Sequence, residues 1–293
     1  KGGIIKRTYW SLLVVLCICL FAQTAWASVS YLGPAGTYTE EATVQFFGTQ
    51  EEMTPANTVA ESLALLKAGK CSYAVVPVEN TIGGPVYSYV DAVLAEAAFA
   101  VVGEVNLPIR QTLLGLPGTS LQQVKTVLSH PQGIAQSKAW LKANLPEAKV
   151  TEVSSTAEGA KKVAEAQDPS VAAIAASRTA EVYHLDILAR DLQYTDTNVT
   201  RFWVVTSKEK ALSAGKKGAL ALHGSTADLG KLLVRLENTG YQVEFVHDRP
   251  LKTKLGEYLF VLEVKAAQAK TPLEQAVRGV SGQVRILGVY DEK

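Results

Sequence analysis

The sequence predicts an α/β protein built from two units, and three observations support this. Short apolar runs alternate with helical segments between residues 29 and 205, which indicates an α/β fold with largely parallel sheets. The stretch SKEKALSAGKK at 207–217 is polar and lysine-rich, which is typical of a linker. After it the order of elements becomes βαββαβ, the ferredoxin-like split arrangement.

Apolar runs and helix-start signals locate the individual elements. In the large unit we predict strands at Val29–Leu32, Tyr73–Val78, Phe99–Val105, Thr126–Leu128, Val150–Val153, Val171–Ala175 and Phe202–Val205. Thr58 with Glu61, and Ser155 with Glu158, have the spacing of a capping box and predict two helix starts. In the C-terminal unit we predict strands at 218–222, 241–246, 258–264 and 284–290, with helices at 227–238 and 272–280.

Composition excludes several classes of protein. The chain has 293 residues and 47% hydrophobic composition, which is enough for a substantial core. Its 29 Lys and Arg nearly balance its 28 Asp and Glu, so we expect no nucleic-acid partner bound through a cationic surface. With 19% charged residues and modest glycine and proline content, disordered and fibrous classes are also excluded.

The N-terminal segment has the pattern of a signal peptide. Basic residues precede an apolar run at 10–22, which is too short for a bilayer core that needs about 20 residues. Ala25-Trp26-Ala27 then supplies the small-x-small pattern of a cleavage site. We predict a signal peptide at 1–27, an exported and periplasmic protein, and no stable membrane association after cleavage. Cys71 would then be the single cysteine of residues 28–293, which excludes an internal disulfide.

Familiar metal and cofactor motifs are absent from the sequence. The four histidines are far apart, and there is no Cys-x-x-Cys pair, Walker loop, dinucleotide fingerprint or Gly-x-Ser-x-Gly elbow. We therefore predict no metal and no cofactor.

Four polar segments beside predicted strands are candidates for ligand binding. They are 33–39, 79–86, 129–132 and 198–202. Each combines small residues with hydroxyl or amide donors, and three precede helices, whose N-termini favour anions. Arg201 adds a planar fork that suits a carboxylate. The segments predict a pocket for a small, oxygen-rich anion, although ordinary turn chemistry explains each one singly.

Six blocks of the sequence stand in the order and spacing of one known enzyme family: YLGPAGTYTEEA (31–42), PVENTIGGPV (77–86), VVGEVNLPI (101–109), LSHPQGIAQS (128–137), AAIAASRTAEVYHLDILA (172–189) and NVTRFWVV (198–205). In these blocks the sequence resembles the prephenate dehydratase family and its arogenate dehydratase relatives. HDRPLKTKLGEYLFVLEV (247–264) and RILGVY (285–290) look like the family's ACT regulatory domain.

The resemblance implies a domain organisation and a reaction. It implies a two-lobed, periplasmic-binding-protein-like catalytic region at 28–207, with subdomains at about 28–106 with 190–207 and at 107–189. A linker at 208–216 and an ACT domain at 217–293 follow. The implied reaction removes carbon dioxide and water from prephenate to give phenylpyruvate, or converts arogenate to phenylalanine. Aromatisation drives it, so no cofactor is needed.

Site residues carry over by position in the matching blocks. Thr200 stands at the family's place for the leaving hydroxyl, and we favour hydrogen-bond donation or proton relay because a hydroxyl is a weak acid. Arg201 is expected to bind a substrate carboxylate, with a structural ion pair as the alternative. The remaining expected substrate-binding residues are Gly36, Thr37, Asn80, Thr81, Ser129 and Gln132. His130 is interpreted as a helix cap or packing residue rather than an acid.

The chain departs from the family at several positions. Ile82-Gly83-Gly84 follows the plant-like version of its motif, and Gln111-Thr112 stands where many members have His-Cys, so prephenate and arogenate both remain candidate substrates. In the tail, His247-Asp248 replaces Glu-Ser before Arg249-Pro250, and Asp228-Leu229-Gly230 only loosely matches the family's effector loop. We therefore expect a homodimer or homotetramer in which phenylalanine is at most a weak effector.

Two further hypotheses come from other functional classes. A solute-binding protein would keep the two-lobed pocket and the signal peptide but lose catalysis. A regulatory protein that senses an amino acid would use the tail but would leave the pocket motifs without a role. The presence of both Thr200 and Arg201 favours the enzyme.

Overall fold

The structure is a computed structural model that describes residues 28–211, 214–251 and 254–291. The predicted signal peptide at 1–27 lies outside the described residues. Within the described part of the chain, no helix has the length and apolar character needed to cross a bilayer.

Fifteen strands and eight α-helices make up the described chain. The strands are β1 (Val29–Leu32), β2 (Met53–Ala56), β3 (Tyr73–Asn80), β4 (Gly84–Pro85), β5 (Phe99–Pro108), β6 (Thr112–Gly115), β7 (Thr126–Ser129), β8 (Lys149–Glu152), β9 (Val171–Ala175), β10 (Asp186–Ala189), β11 (Val199–Ser207), β12 (Lys217–Gly224), β13 (Tyr241–Pro250), β14 (Tyr258–Ala266) and β15 (Gln283–Tyr290). The helices are α1 (Tyr38–Phe47), α2 (Val59–Lys67), α3 (Tyr87–Leu94), α4 (Pro131–Asn144), α5 (Thr156–Ala166), α6 (Arg178–Tyr183), α7 (Thr226–Asn238) and α8 (Leu273–Ala276).

The α/β region consists of two lobes, each with its own sheet. The first sheet has the order β2-β1-β3-β11-β5, with β4 paired to β3, and the second has the order β10-β6-β9-β7-β8. The chain leaves the first lobe after β5 and returns to it through β11. Because β11 lies between β3 and β5, the returning strand is central to the first sheet and its core.

The expectation of largely parallel sheets is wrong, although the α/β class is confirmed. β1, β2 and β3 pair in parallel, as do β7, β8 and β9. The strands that join the lobes, β5, β6, β10 and β11, all pair antiparallel with their neighbours. A strand that re-enters a sheet from the other lobe arrives against the direction of its neighbours, so a mixed sheet follows from the crossover.

Both helix starts predicted from capping-box spacing are confirmed. The Thr58 hydroxyl accepts from Glu61 N at 3.0 Å and begins α2, and the Ser155 hydroxyl accepts from Glu158 N at 3.0 Å and begins α5. Such caps satisfy N–H groups that the first helical turn leaves without a partner.

The C-terminal unit folds as the predicted βαββαβ arrangement. Its antiparallel sheet has the order β13-β14-β12-β15, which is the ferredoxin-like order. α8 is shorter than the helix predicted at 272–280, and Gly279, three residues after its end, has a positive φ of 78°. One face of the sheet packs on the first lobe, where Ala219, Val261 and Trp203 share a buried core. β15 approaches β5 so closely that a Cβ on Gly288 would collide with the Val101 carbonyl.

Candidate active site

A cleft of about 390 Å³ lies between the two lobes. The first lobe lines it with residues after β1, at the end of β3 and at the start of β11. The second lobe lines it with the first turns of α4 and α5. All four segments singled out from the sequence therefore reach this cleft, and we take it as the candidate active site.

Asn80 and Thr200 form a polar contact between two neighbouring strands in the cleft. They pair across β3 and β11, and Asn80 Nδ2 donates to Thr200 Oγ1 at 3.0 Å. Asn80 Oδ1 accepts from the backbone N–H groups of Ile82 and Gly83 at 3.0 and 2.8 Å. Because backbone N–H groups only donate, this contact fixes which end of the amide faces Thr200. The Thr200 oxygen accepts from Asn80, so its own proton is free to be donated into the cleft.

Asn198 is a cleft residue that was not identified as a ligand from the sequence. Its Oδ1 accepts from Asn80 Nδ2 at 2.7 Å, and the residue is 1% exposed. Its Nδ2 is buried and has no hydrogen-bond partner within the described residues. A buried donor without a partner carries a free-energy cost that a ligand in the cleft can remove.

Three helices begin at the cleft, and their first residues are part of its lining. Thr37 caps α1 by accepting from Glu40 N at 3.4 Å, and Ser155 caps α5. His130 caps α4, its Nδ1 accepting from Gln132 N at 3.2 Å. The interpretation of His130 as a helix cap is therefore confirmed, and this bond leaves the ring proton on Nε2. Together the helix N-termini give the cleft a positive potential that suits anions.

The cleft combines apolar and neutral polar side chains. Among the described residues that line it, none is a lysine or an arginine. Its polar side chains are mostly hydroxyls and amides, including Thr39, Gln111, Gln132, Gln136 and Thr156. Gln111 Nε2 donates to Gln136 Oε1 at 2.8 Å, which ties the residue before β6 to α4 within the second lobe.

Tyr38 contributes a neutral hydroxyl at the edge of the cleft. Burial, reinforced by Glu41, holds the pKa of Tyr38 well above its usual range. Its hydroxyl donates to Arg110 O at 2.8 Å, where the chain crosses between the lobes.

Three other expected substrate ligands have structural roles in this arrangement and do not line the cleft. Thr81 donates to Thr197 O at 2.7 Å and accepts from Val199 N at 3.0 Å, which ties the β3 loop to β11. Ser129 is fully buried and donates to Ile174 O at 2.7 Å. Gly36 has a φ of 85°, and its carbonyl accepts from Thr179 of the second lobe at 2.6 Å.

The structure does not place Arg201 in the cleft, where it was expected to bind a substrate carboxylate. Thr200 and Phe202 line the cleft, whereas Arg201 lies on the opposite face of β11 because side chains alternate along a strand. Arg201 is 4% exposed and donates from Nη2 to Glu79 Oε2 at 2.7 Å. Its other terminal nitrogen forms an ion pair with Glu263 of the C-terminal unit. The alternative interpretation, a structural ion pair, describes the observed contacts.

The two candidate regulatory segments lie at the same end of the C-terminal sheet, since Gly224 and Pro250 both pair with Tyr258. Asp228 begins α7, where its carboxylate accepts from Ser225 and Ser281. These contacts, first of all the Ser281 hydrogen bond, hold the pKa of Asp228 well below its usual range. Leu229 packs against the core of the unit and Gly230 lies within α7.

The side chains of the segment 247–250 alternate between the side of the sheet that faces the first lobe and the exposed side. His247 and Arg249 face the first lobe, and Asp248 and Pro250 are exposed. Burial lowers the pKa of His247. Arg249 donates to Asp91 Oδ1 at 3.1 Å and lies 4.4 Å from the centre of the Tyr87 ring.

The described residues contain no cluster of three or more His, Cys, Asp or Glu placed to hold a metal ion. The lining is rich in neutral donors, which suits carboxylate and hydroxyl groups of a substrate.

The fold and cleft define a class of protein: a two-lobed, periplasmic-binding-protein-like catalytic region joined to a ferredoxin-like unit. The family model for prephenate dehydratase matches residues 29–210. A bifunctional chorismate mutase/prephenate dehydratase from Aquifex aeolicus is 33% identical over 282 residues, covering 94% of this chain and 76% of that protein. A prephenate dehydratase from Lactococcus lactis is 32% identical, covering 89% of this chain and 96% of its own length.

Solved structures show the same architecture. Prephenate dehydratase from Arthrobacter aurescens in complex with L-Phe aligns with a TM-score of 0.79 and 28% identity, covering 90% of this chain and 89% of its own. A protein described as a quorum-quenching acylase aligns with a TM-score of 0.79 and 25% identity, covering 91% and 98%. The chain belongs to the prephenate dehydratase family and converts prephenate to phenylpyruvate in phenylalanine biosynthesis.

Proposed function

We propose that Thr200 donates the hydrogen bond that assists departure of the ring hydroxyl of prephenate. The supporting observation is the Asn80–Thr200 contact, in which the Thr200 oxygen accepts and its proton remains available. A donor fixed before the substrate arrives stabilises developing negative charge without reorganising during the reaction.

The reaction balances with Thr200 as donor and relay. The ring C–CO₂ bond breaks and its electron pair enters the ring as the C–O bond to the hydroxyl breaks. The departing oxygen takes up one proton, ultimately from solvent, and leaves as water beside carbon dioxide and phenylpyruvate. The protein's contribution is orientation of the carboxylates and stabilisation of the leaving oxygen.

The helix N-termini of the second lobe are proposed to hold the substrate carboxylates. α4 and α5 both begin at the cleft, and Gln132 and Thr156 add side-chain donors there. Asn198 Nδ2 is proposed as a further donor from the first lobe, close to Thr200. This arrangement takes the place of the contact predicted for Arg201.

Comparison of Thr200→Ala with Thr200→Ser tests the proposed role. Removing one well-placed donor costs roughly 100- to 1000-fold in kcat, whereas serine keeps the hydroxyl and should retain most of the rate. Phenylpyruvate formation is followed by absorbance for folded, purified variants. Near-wild-type turnover by Thr200→Ala would remove Thr200 from the mechanism. Prephenate and arogenate are assayed in parallel, because arogenate is proposed as an alternative substrate.

Acyl hydrolysis is a second candidate activity, since the acylase neighbour shares the fold. The same preparations test it against an N-acylated amine substrate. Hydrolysis abolished by Thr200→Ala would assign that activity to the same cleft, and hydrolysis unaffected by it would place acylase activity elsewhere.

The C-terminal unit is proposed to act as an ACT domain that mediates self-association. The Arthrobacter aurescens protein was solved as a complex with L-Phe, which makes phenylalanine the proposed effector class here. His247 and Arg249 already contact the first lobe, so we expect weak or absent inhibition. A phenylalanine dose-response, read beside the mass of the homodimer or homotetramer, tests both parts.

Export is proposed from the signal-peptide pattern of residues 1–27. N-terminal sequencing of protein from the extracytoplasmic fraction is expected to begin at Ser28. An intact N-terminus in the cytoplasm would contradict export.

A further inference from the structure

Arg201 lies at a junction between the catalytic strand and the C-terminal unit. On one side its Nη2 donates to Glu79 Oε2 at 2.7 Å, within the first lobe. On the other side it pairs with Glu263 of β14, and it stacks 3.7 Å from the centre of the Phe245 ring of β13. The guanidinium is therefore held between a strand of the first lobe and two strands of the C-terminal unit.

β3 and β11, which carry Glu79 and Arg201, also carry the Asn80–Thr200 contact, on the opposite face of the sheet. Thr200 pairs with Asn80 in the sheet, and the next position pairs Arg201 with Glu79. The register between β11 and β3 shifts immediately after Arg201, whereas β11 stays in regular register with β5 along the same residues. The Arg201–Glu79 ion pair therefore joins β11 to β3 one residue from the point where Asn80 donates to Thr200.

Glu263 is itself held in one orientation. Its Oε1 accepts from Trp203 Nε1 at 2.7 Å, and the residue is 2% exposed. Trp203 follows Arg201 by two positions, so both lie on the same face of β11. Glu263 thus contacts β11 at two successive residues of that face, through an ion pair and through a hydrogen bond.

We propose that Glu263, from the C-terminal unit, is a positioning residue for the dehydration reaction: by holding Arg201 and Trp203 it fixes the catalytic strand so that Thr200 keeps its contact with Asn80. The proposal rests on the role proposed for Thr200. A buried ion pair adds little net stability over apolar side chains, because desolvation offsets the attraction. Its advantage here is geometric, since a planar guanidinium between two carboxylates allows few arrangements.

Glu263→Gln tests the proposal in the full-length chain. Glutamine keeps the shape of the side chain and an oxygen acceptor for Trp203 but replaces the oxygen that faces Arg201 with an NH₂ group, which cannot accept from the guanidinium. A small displacement of a catalytic group lowers the reaction rate strongly, so we expect kcat to fall roughly 10- to 100-fold. KM for prephenate should change by less than about twofold, because Glu263 lies on the far side of the sheet from the substrate.

Asp91→Asn is the matched control. It removes another ion pair between the same two units, formed by Asp91 of α3 with Arg249, which does not touch β11. It should leave kcat unchanged. An unchanged kcat for folded Glu263→Gln, or equal losses in Glu263→Gln and Asp91→Asn, would overturn the proposal.

Trp203→Phe provides a second variant if Glu263→Gln does not fold. It removes the Nε1 donor to Glu263 together with part of the buried indole ring, and a reduced kcat with unchanged KM is again expected. Wild-type kcat in this variant would overturn the proposal. The role of Thr200 is judged separately by Thr200→Ala, so failure of the positioning role and failure of the proposed function give different results.

Discussion

The alternation of side chains along β11 determines which residues of the Thr-Arg-Phe block face the cleft. Thr200 and Phe202 line the cleft, and Arg201 and Trp203 face the C-terminal unit. The sequence contains this signal, because neighbouring residues of a strand point to opposite faces. The signal was missed because the strand was predicted to begin at Phe202, whereas β11 begins at Val199.

Asn198→Asp should weaken use of the anionic substrate. Aspartate keeps the oxygen that accepts from Asn80 but replaces the unpartnered Nδ2 donor with a negative charge. Losing a hydrogen bond to a charged group costs about 1.5–3 kcal/mol, so kcat/KM for prephenate should fall roughly 10- to 150-fold. Steady-state kinetics measures this, with Asn198→Ala as the comparison that removes both atoms. An unchanged kcat/KM in Asn198→Asp would show that Asn198 does not face the substrate.

Arg201→Lys should destabilise the protein without weakening substrate binding. Lysine is a point charge and cannot span Glu79 and Glu263 as the guanidinium does. We expect the free energy of unfolding to fall by about 1–3 kcal/mol, measured by urea denaturation, with KM within about twofold of wild type. A large rise in KM would restore Arg201 as a substrate ligand.

At the scale of elements, the sequence predicts best what depends on neighbouring residues. The caps of α2 and α5 are local hydrogen bonds, and both were correctly predicted. β2, β4, β6 and β10 were missed because they carry little strand pattern of their own and are stabilised by their partners in the sheet. The antiparallel crossover could not be predicted for the same reason, since it depends on how distant segments pair.

The loop between β1 and α1 joins the lobes, and Gly36→Ala tests its importance. A Cβ there would lie 3.0 Å from Thr179 Cγ2, at a φ of 85° that disfavours side chains. Gly48→Ala is the matched control, because Gly48 has a φ of 86° with nothing within 4 Å of the added Cβ. Both variants should lose about 1–3 kcal/mol of stability from backbone strain. A raised KM for prephenate is expected in Gly36→Ala alone, and an equal KM in both would contradict a role for the loop in lobe closure.

At the scale of the whole molecule, buried charge concentrates where the C-terminal unit meets the first lobe. Glu79, Glu104, Glu244 and Glu263 surround Arg201 and Lys217. The family resemblance predicted both units, but no sequence pattern predicts this junction, because its partners are up to 122 residues apart. Ion pairs of this kind can be identified only from a structure in which the two units are in contact.

Because buried carboxylates outnumber cations at this junction, we expect the free energy of unfolding to depend on pH. Burial, reinforced by Glu104, raises the pKa of Glu263 from 4.5 to about 7, against the lowering effect of Arg201. Between these pH values the folded state binds more protons than the unfolded state, so this group's contribution to stability is lost as pH rises from 4.5 to 7. Urea denaturation should show wild type losing stability relative to Glu263→Gln across that window. Parallel stability curves would contradict the raised pKa.

The central claim is that Asn80 and Thr200 act as one unit, with Asn80 orienting the hydroxyl that assists the leaving group. A double-mutant cycle in kcat with Asn80→Ala, Thr200→Ala and the double variant tests it most directly. If Asn80 acts through Thr200, its removal costs nothing further once the hydroxyl is gone, and the double variant should be about as slow as Thr200→Ala alone. A double variant whose loss equals the product of the two single losses would contradict the claim, because it would show that the two residues contribute independently.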